Sequence, residues 1–324
     1  MAKARAIMKR RKAVRNIRKI TRTMQMIATA KFQKSLKRTV GTKPYTMKIR
    51  ELVREVASCV GDVDHPLLRK PEPGAKANRE AVIVITSNRG LCGGYNGSVL
   101  RLASQLLDDL KKRSVEVDLT VIGRKGISYF KFRKVPIRNA GSVRDVPTFA
   151  EVKPKVQELM DRFIRGEIDA AHVVFVDFIS TGVQKPRVMT LLPLSGAEAL
   201  ADSIVEELAE KEAQVNAGIM DRKRRGDDIH VEQHVQGQVQ YDFSPSAKDL
   251  FDELLPLTVQ TAFFQAFLDA TASEHVARMV AMKSATDNAD KIGKALALQY
   301  NRARQSQITT ELSEIMGGVE AMKG

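Results

Sequence analysis

Two places in this 324-residue sequence gather side chains whose types could do chemistry. The first is Ser87 to Asn96, SNRGLCGGYN, a glycine-rich turn directly after the apolar run Val82–Thr86. A turn of that kind can cradle phosphate on its backbone N–H groups, and Cys92 within it could serve as a thiolate nucleophile. The details oppose both. No lysine follows the glycines as in a P-loop, the G-x-G-x-x-G spacing is absent, and no acidic residue stands where a dinucleotide fingerprint needs one after the second strand. Nothing supplies Cys92 with a spaced base. The turn therefore reads as a tight strand-to-helix connection, with Gly90, Gly93 and Gly94 taking unusual backbone angles and Cys92 a small buried residue. The second place is His230 and His234, four apart, for which no third ligand of metal-site spacing follows. Cys59 and Cys92 are the only cysteines, too few for a disulfide framework or a cysteine zinc site, and a reducing compartment is the default. With no acid/base pair, triad or metal cluster, the chain is expected to be no enzyme by itself and to hold no cofactor or metal.

The elements that would position such a turn are legible in the punctuation. Pro66, Pro71, Pro73 and Gly74 mark a linker. Beyond it, Val82–Thr86 reads as a buried strand, Ser98–Lys112 as a helix, Val117–Ile122 as a strand, Ala150–Arg165 as a helix and His172–Ile179 as a third strand. Arg187–Leu194 is a candidate edge strand. Strands alternating with helices of this length predict a small three-layered α/β body of Rossmann-like character, built on a parallel sheet.

Both ends differ from this middle. Ser273–Thr310 has no Pro and one interior Gly, and can only be a long helix. Its positions Met279, Thr286, Gly293, Tyr300 and Gln307 alternate with Met282, Ala289, Leu296, Ala303 and Thr310 in a seam of mostly small residues, which predicts close antiparallel pairing. Ile7–Leu36 likewise lacks Gly and Pro, and Ile17, Ile20, Met24, Ile27 and Ala28 give it an apolar stripe at helical spacing. The expected fold is thus a long antiparallel α-helical coiled coil formed by the two termini, with a Rossmann-like α/β domain inserted between them. The boundaries are 1–60 for the first helix, 78–240 for the body and 246–324 for the last helix. The body includes a charged helical insertion near 197–225.

Charge sharpens the question of partners. The chain carries a net charge of +15, from 53 Lys plus Arg against 38 Asp plus Glu. Seventeen of those cations, Lys3 to Arg50, precede the first acid, Glu51, so the rest of the chain is close to neutral. Beyond a merely solvated face, a helix so clad calls for nucleic acid, anionic lipid or an acidic protein nearby. Nucleic acid is disfavoured, since Phe32 and Tyr45 are the only aromatics in the region and no known motif frames them. A removable targeting peptide is disfavoured because the stripe runs on without a break. No stretch approaches the roughly 20 apolar residues of a transmembrane helix.

Three ordered blocks carry a resemblance: IRKITRTMQMIATAKF (17–32), TSNRGLCGGYN (86–96) and the run from Ala272 through Gly318 that opens ASEHVARMVAMKSATDNADKIGKALALQYN. Together they span nearly the whole chain, which resembles the gamma subunits of F-type ATP synthases. The resemblance implies a rotating central stalk. Its coiled coil would penetrate the ring of alpha and beta subunits, and its body would sit below with epsilon and the membrane ring of c subunits. Torque would pass between proton flow and catalysis, the proton being the family default. It further implies ring contacts at Arg304 and Gln305, at Arg278 on the same helix, and at Met24, near an acidic segment of beta. Arg10, Arg11, Lys12, Arg18, Lys19 and Arg22 would supply complementary charge. Tyr241 and Phe243 would face the rotor ring or epsilon, although Ser244 stands where an acid is usual. Val319 replaces the alanine usual after Gly318. The paired-cysteine insert of chloroplast relatives is missing, so redox control by that route is not expected. No leader is evident, which points to a bacterial plasma-membrane complex, with the chain peripheral on its cytoplasmic side.

Overall fold

A computed structural model of the chain describes residues 2–60, 65–68, 79–142, 144, 147–194 and 247–322. The elements run in order as α1 (Ala2–Val60), a short 3-10 turn (Pro66–Leu68), β1 (Arg79–Ile85), α2 (Tyr95–Lys112), β2 (Glu116–Ile122), α3 (Arg124–Phe132), β3 (Asn139–Gly141), α4 (Phe149–Ile164), β4 (Ala170–Phe178), β5 (Gln184–Leu192) and α5 (Ala247–Ala321). The strand order is β3-β2-β1-β4-β5. All neighbours are parallel except β4 and β5, which pair antiparallel. The expected coiled coil with an inserted α/β body is therefore the observed architecture. The candidate strand Arg187–Leu194 is the antiparallel edge, beginning at Gln184. The sequence reading passed over α3 and β3. A nine-residue helix dense in Lys and Arg and a three-residue edge strand are each too short to show a period.

Strand β1 is central and buried on both faces. On one side Val82 and Val84 pack with Val99, Ala103 and Leu110 of α2 and Phe130 of α3. On the other, Ala81, Ile83 and Ile85 pack with Val152, Val156 and Phe163 of α4 and with Leu255, Val259, Phe263 and Phe267 of α5. Alternate residues thus serve opposite layers, which is why the run VIVI shows no polar alternation. Helix α5 therefore does two jobs: its first part closes the body, and its remainder leaves the body to pair with α1.

One turn fixes how β2 meets α3. Thr86 accepts the N–H of Gly126 on its Oγ1 at 3.0 Å and donates to the Ile122 carbonyl at 2.9 Å. Gly123 crosses above it at φ +103°, where an added Cβ would lie 2.1 Å from the Thr86 carbonyl oxygen. The three crossover helices end alike. Ser114, Lys134 and Gly166 take positive φ, and the next N–H reaches back to Leu110, Phe130 and Arg162 respectively. Such left-handed caps satisfy the last carbonyls and turn the chain into the following segment.

Charged groups brace the sheet end opposite that turn. Arg162 of α4 is buried and bonded to Asp118 of β2, with Arg138 on the same carboxylate and Glu167 on the guanidinium. Glu80 of β1 bonds His172 Nε2 of β4 at 2.9 Å, and His172 Nδ1 meets Thr190 of β5 at 3.1 Å. The hydrogen bond from His172 holds the Glu80 carboxyl below its ordinary 4.5, against the opposing effect of burial.

Replacing Gly123 by Ala is expected to cost at least about 2 kcal/mol in urea unfolding, through steric overlap together with positive φ. Glu80 releases its proton more readily folded than unfolded. Its stabilising contribution is thus full above pH 4.5 and lost as pH falls through the lower folded value. Glu80→Gln should accordingly be less sensitive to acid below pH 4.5 than the parent chain when unfolding is followed against pH.

Candidate functional site

The shaft is held by a seam that is small and polar rather than greasy. Ala28, Phe32, Ser35 and Thr39 of α1 are buried along it, as are Ala272, Val276, Met282, Thr286 and Ala289 of α5. Its register is set by Thr286 donating to Thr21 at 2.8 Å, Thr42 donating to Gln265 at 3.0 Å, and the Arg18–Asp290 ion pair at 2.6 Å. The α5 seam expected from the sequence is the one observed from Met279 to Gln307, while Thr310 is exposed. The α1 stripe is not. Ile17, Ile20 and Ile27 are all more than half exposed, Met24 is half-buried, and only Ala28 of that set is fully buried. The true seam lies one residue on, about 100° round the helix, at Val14, Arg18, Thr21, Gln25 and Ala28. Polarity hid it: α1 turns toward α5 a half-buried threonine, a half-buried glutamine and an arginine paired to Asp290 where the eye looks for isoleucine.

Among the described residues, two apolar surfaces of the shaft are exposed. One is the Ile17, Ile20 and Ile27 face of α1, flanked by exposed cations. The other is the end of α5. By the register above, α5 runs on for roughly four turns past the start of α1, and there Ile308, Leu312, Ile315, Met316 and Val319 are exposed at helical spacing. Among the expected ring contacts, Arg10, Lys19, Arg22, Arg304 and Gln305 are exposed and Arg11 is half-buried.

Arg278 stands apart from them. It is 9% exposed and faces the body rather than the outside. Its Nη2 donates to the carbonyl of Arg89 at 3.2 Å and to Glu274 Oε1 at 2.7 Å, and its Nε to the carbonyl of Gly90 at 3.4 Å. Arg278 thus ties α5 to the glycine-rich turn after β1. Gly93 of that turn, at φ +56°, sits against Ala277 and Ala281 of the same helix. Inside the turn, Ser87 donates to the Arg89 carbonyl at 2.6 Å and Asn96 bridges Ser87 and Cys92. Cys92 is buried, as the sequence reading had it. Burial, reinforced by the Glu274 charge, pushes the Tyr95 phenol well above its ordinary value, so it stays neutral. The cavity beside the turn, lined by Thr86, Asn88, Tyr95 and Glu274, holds only about 30 Å³ and presents a carboxylate. That is far below the several hundred Å³ of an ordinary ligand pocket. The turn is a joint. Glu274 was missed in the sequence, although its i, i+4 spacing to Arg278 was the available signal. No group of three or more possible metal ligands occurs among the described residues. Tyr241, Phe243, His230, His234 and the 197–225 insertion lie outside them.

Comparison with known proteins bears on the whole chain. The family described as ATP synthase matches residues 3–322. A protein of Rhodopirellula baltica named ATP synthase gamma chain is 40% identical over 325 residues, covering 100% of both chains. One of the same name from Leptospira biflexa is 36% identical over 323 residues, covering 99% of this chain and 100% of the other. Among solved structures, a chain of the Euglena gracilis mitochondrial ATP synthase aligns with a TM-score of 0.60 at 17% identity, covering 99% of this chain and 95% of that one. A chain from the central stalk and c-ring of the Tetrahymena thermophila enzyme aligns with a TM-score of 0.54 at 18% identity, covering 82% of this chain and 99% of that one. At such identities these structures speak for the fold alone.

Replacing Arg278 by Leu takes a buried cation away from the Glu274 carboxylate and removes the donors that hold the turn. A loss of about 1–3 kcal/mol is expected, with faster amide exchange in residues 87–94 than in the α2 interior. Equal protection in both segments would show that the turn is held without the clamp.

Proposed function

This chain belongs to the ATP synthase gamma-chain family, and from that premise we propose how it works as the central stalk of such an enzyme. The paired part of α1 and α5, with the lone end of α5 at its tip, stands inside a ring of alpha and beta subunits. The α/β body lies below, against epsilon and a ring of c subunits. Catalysis belongs to the ring, and this chain conveys rotation between the ring and the membrane rotor that carries ions, protons by the family default. It holds no catalytic residue of its own.

The observation that carries this reading is the uncovered end of α5. A helix of several turns with five exposed apolar side chains on it gains little by standing in water, and burial against a surrounding sleeve would stabilise each of them by roughly 1 kcal/mol or more. The same applies to the Ile17, Ile20 and Ile27 face. Around that face, exposed Arg10, Lys19 and Arg22, with half-buried Met24, suit an acidic segment on a beta subunit; near the tip, Arg304 and Gln305 suit polar loops. Such exposed pairs are worth about 0–1 kcal/mol each, weak enough to break at every step of a turn. Arg278 acts differently from the other expected contacts: tied to Arg89, Gly90 and Glu274, it keeps the body turning with the shaft. For Tyr241 and Phe243 we keep the reading of a contact with the rotor ring or epsilon. No described helix is long and apolar enough to cross a membrane, which accords with a peripheral subunit. The bacterial relatives favour the cytoplasmic side of a plasma membrane.

Co-expression with the alpha and beta subunits of a bacterial ATP synthase tests the reading. One complex containing all three, with ATP hydrolysis that the chain alone lacks, is expected. Recovery of the chain with nucleic acid instead, its binding falling steeply with salt, would overturn it. Within the complex, Ile20→Asp should lower ATP hydrolysis severalfold while leaving the stability of the isolated chain within about 0.5 kcal/mol, because the residue is exposed. A large loss of stability in the isolated chain would return Ile20 to the internal seam.

A further inference from the structure

The outer half of the rod repeats one half of an ion pair and omits the other. Arg18 of α1 pairs with Asp290 of α5 at 2.6 Å. Two turns farther toward the tip, seven residues along each helix, the matching positions are Arg11 and Ala297. The cation recurs there and the carboxylate does not. Between the two levels stands Gly293, where an added Cβ would meet nothing within 4 Å. The helices therefore leave a groove of about 540 Å³, whose apolar lining is Val14, Ala289 and Ala297.

Four cations, Arg11, Arg15, Arg18 and Lys294, line the same groove against one carboxylate, Asp290. Arg18 takes that carboxylate, and Arg11, Arg15 and Lys294 have no ion-pair partner among the described residues. Arg11 is half-buried, so water compensates its charge less than it does the exposed cations of the outer face. Arg11 and Arg15 also lie one turn apart, a spacing at which like charges oppose a helix. Cations gathered in a cleft with low-dielectric walls concentrate the local field. A helix pair so built is short of an anion.

We propose that this groove is a binding site for a phosphate-chain anion, inorganic pyrophosphate or the tail of a nucleoside triphosphate, held by Arg11, Arg15 and Lys294 between α1 and α5. Guanidinium forks suit phosphate oxygens, and several charges in a row match several cations in a row. A chloride would meet one cation and leave the others. The volume falls in the roughly 300–1,000 Å³ range of small-molecule sites, which admits a phosphate chain with or without a nucleoside on the apolar lining. The rival occupant is an acidic side chain of the surrounding ring. The stalk reading argues against it: a side chain seated between the helices would have to be withdrawn at every step, whereas a free anion travels with the shaft. The anion would also draw the two helices together near the tip, as Arg18 and Asp290 do farther in.

Isothermal titration calorimetry on the isolated full-length chain tests this, with pyrophosphate, magnesium-free ATP and AMP as probes at physiological salt. Saturable binding of one pyrophosphate per chain is expected, with AMP weaker. Equal affinity for ATP would show that the phosphate chain alone is read, and tighter ATP that the nucleoside adds to it; both support the site. Three substitutions that each lower the charge by one then locate it. Arg11→Ala removes a cation, and Ala297→Asp supplies the missing carboxylate in the relation that Asp290 has to Arg18. Each should weaken pyrophosphate binding more than about tenfold, the loss expected of one charge-assisted contact. Lys34→Ala lies on an exposed part of α1 many screening lengths away, and should change binding less than about twofold. Four results would overturn the proposal: no saturable binding, equal weakening by all three substitutions, unchanged binding in Ala297→Asp, or binding of a polyglutamate peptide and not of pyrophosphate. The last would give the groove to an acidic segment of the ring. None of these readouts involves the ring or ATP hydrolysis, so failure would leave the stalk assignment standing.

Discussion

Everything in this structure depends on the continuity of α5. Its 75 residues extend about 110 Å at the usual rise of 1.5 Å per residue. Leu255, Val259, Phe263 and Phe267 form part of the body's core, and from about Arg278 onward the same helix is half of the shaft. No hinge of Gly or Pro interrupts it between Pro256 and Gly293. A twist applied to the body is therefore carried into the shaft by an unbroken ladder of backbone hydrogen bonds. The Arg278 bonds to the glycine-rich turn add a second attachment where the helix leaves the sheet. Rigidity at that point is a property of packing. Gly93 lies against Ala277 and Ala281 at φ +56°, a backbone angle at which any side chain would be strained.

The seam between α1 and α5 answers a different demand. Its buried positions are largely Ala, Ser and Thr, with Phe32 near the body, where it packs against Phe178 of β4. Small residues allow close approach, and the threonine pair and the Arg18–Asp290 bridge give register without large interlocking side chains. The grip is strongest where the rod meets the sheet and weakens along its length. Farther out, at Gly293, an added Cβ would touch nothing within 4 Å. The outer rod is thus stiff along its axis while its two strands hold each other loosely.

Much of this was legible in the sequence. The α5 seam followed from period alone, because a run free of Pro with small residues every three or four positions has one solution. The strands β1, β2 and β4 followed from short apolar runs bounded by turns, and Cys92 from its setting between glycines. What could not be read were α3 and β3, whose signals are shorter than one period, and the Arg278 clamp. The acceptors of Arg278 are backbone carbonyls 188 and 189 residues away, and backbone leaves no mark in a sequence. The functional contacts named for Arg304 and Gln305 came from the family resemblance, and nothing in their immediate sequence distinguishes them from other exposed residues of α5.

The misplaced stripe on α1 is the instructive case. Ile17, Ile20, Met24 and Ile27 do form an apolar face, but it is not the face that meets α5. A helix that packs on its own chain and also on other subunits carries two stripes, and hydropathy ranks the richer one first. In α1 the richer stripe is the outer one, while the inner one is disguised as Thr21, Gln25 and an Arg18 paired to Asp290. On the stalk reading proposed above, this inversion has a cause. An internal seam needs only to hold register for the life of the protein, and paired polar groups do that. The outer face must slide past successive partners, and apolar contact, which has no preferred direction, suits sliding better than hydrogen bonds that demand one geometry.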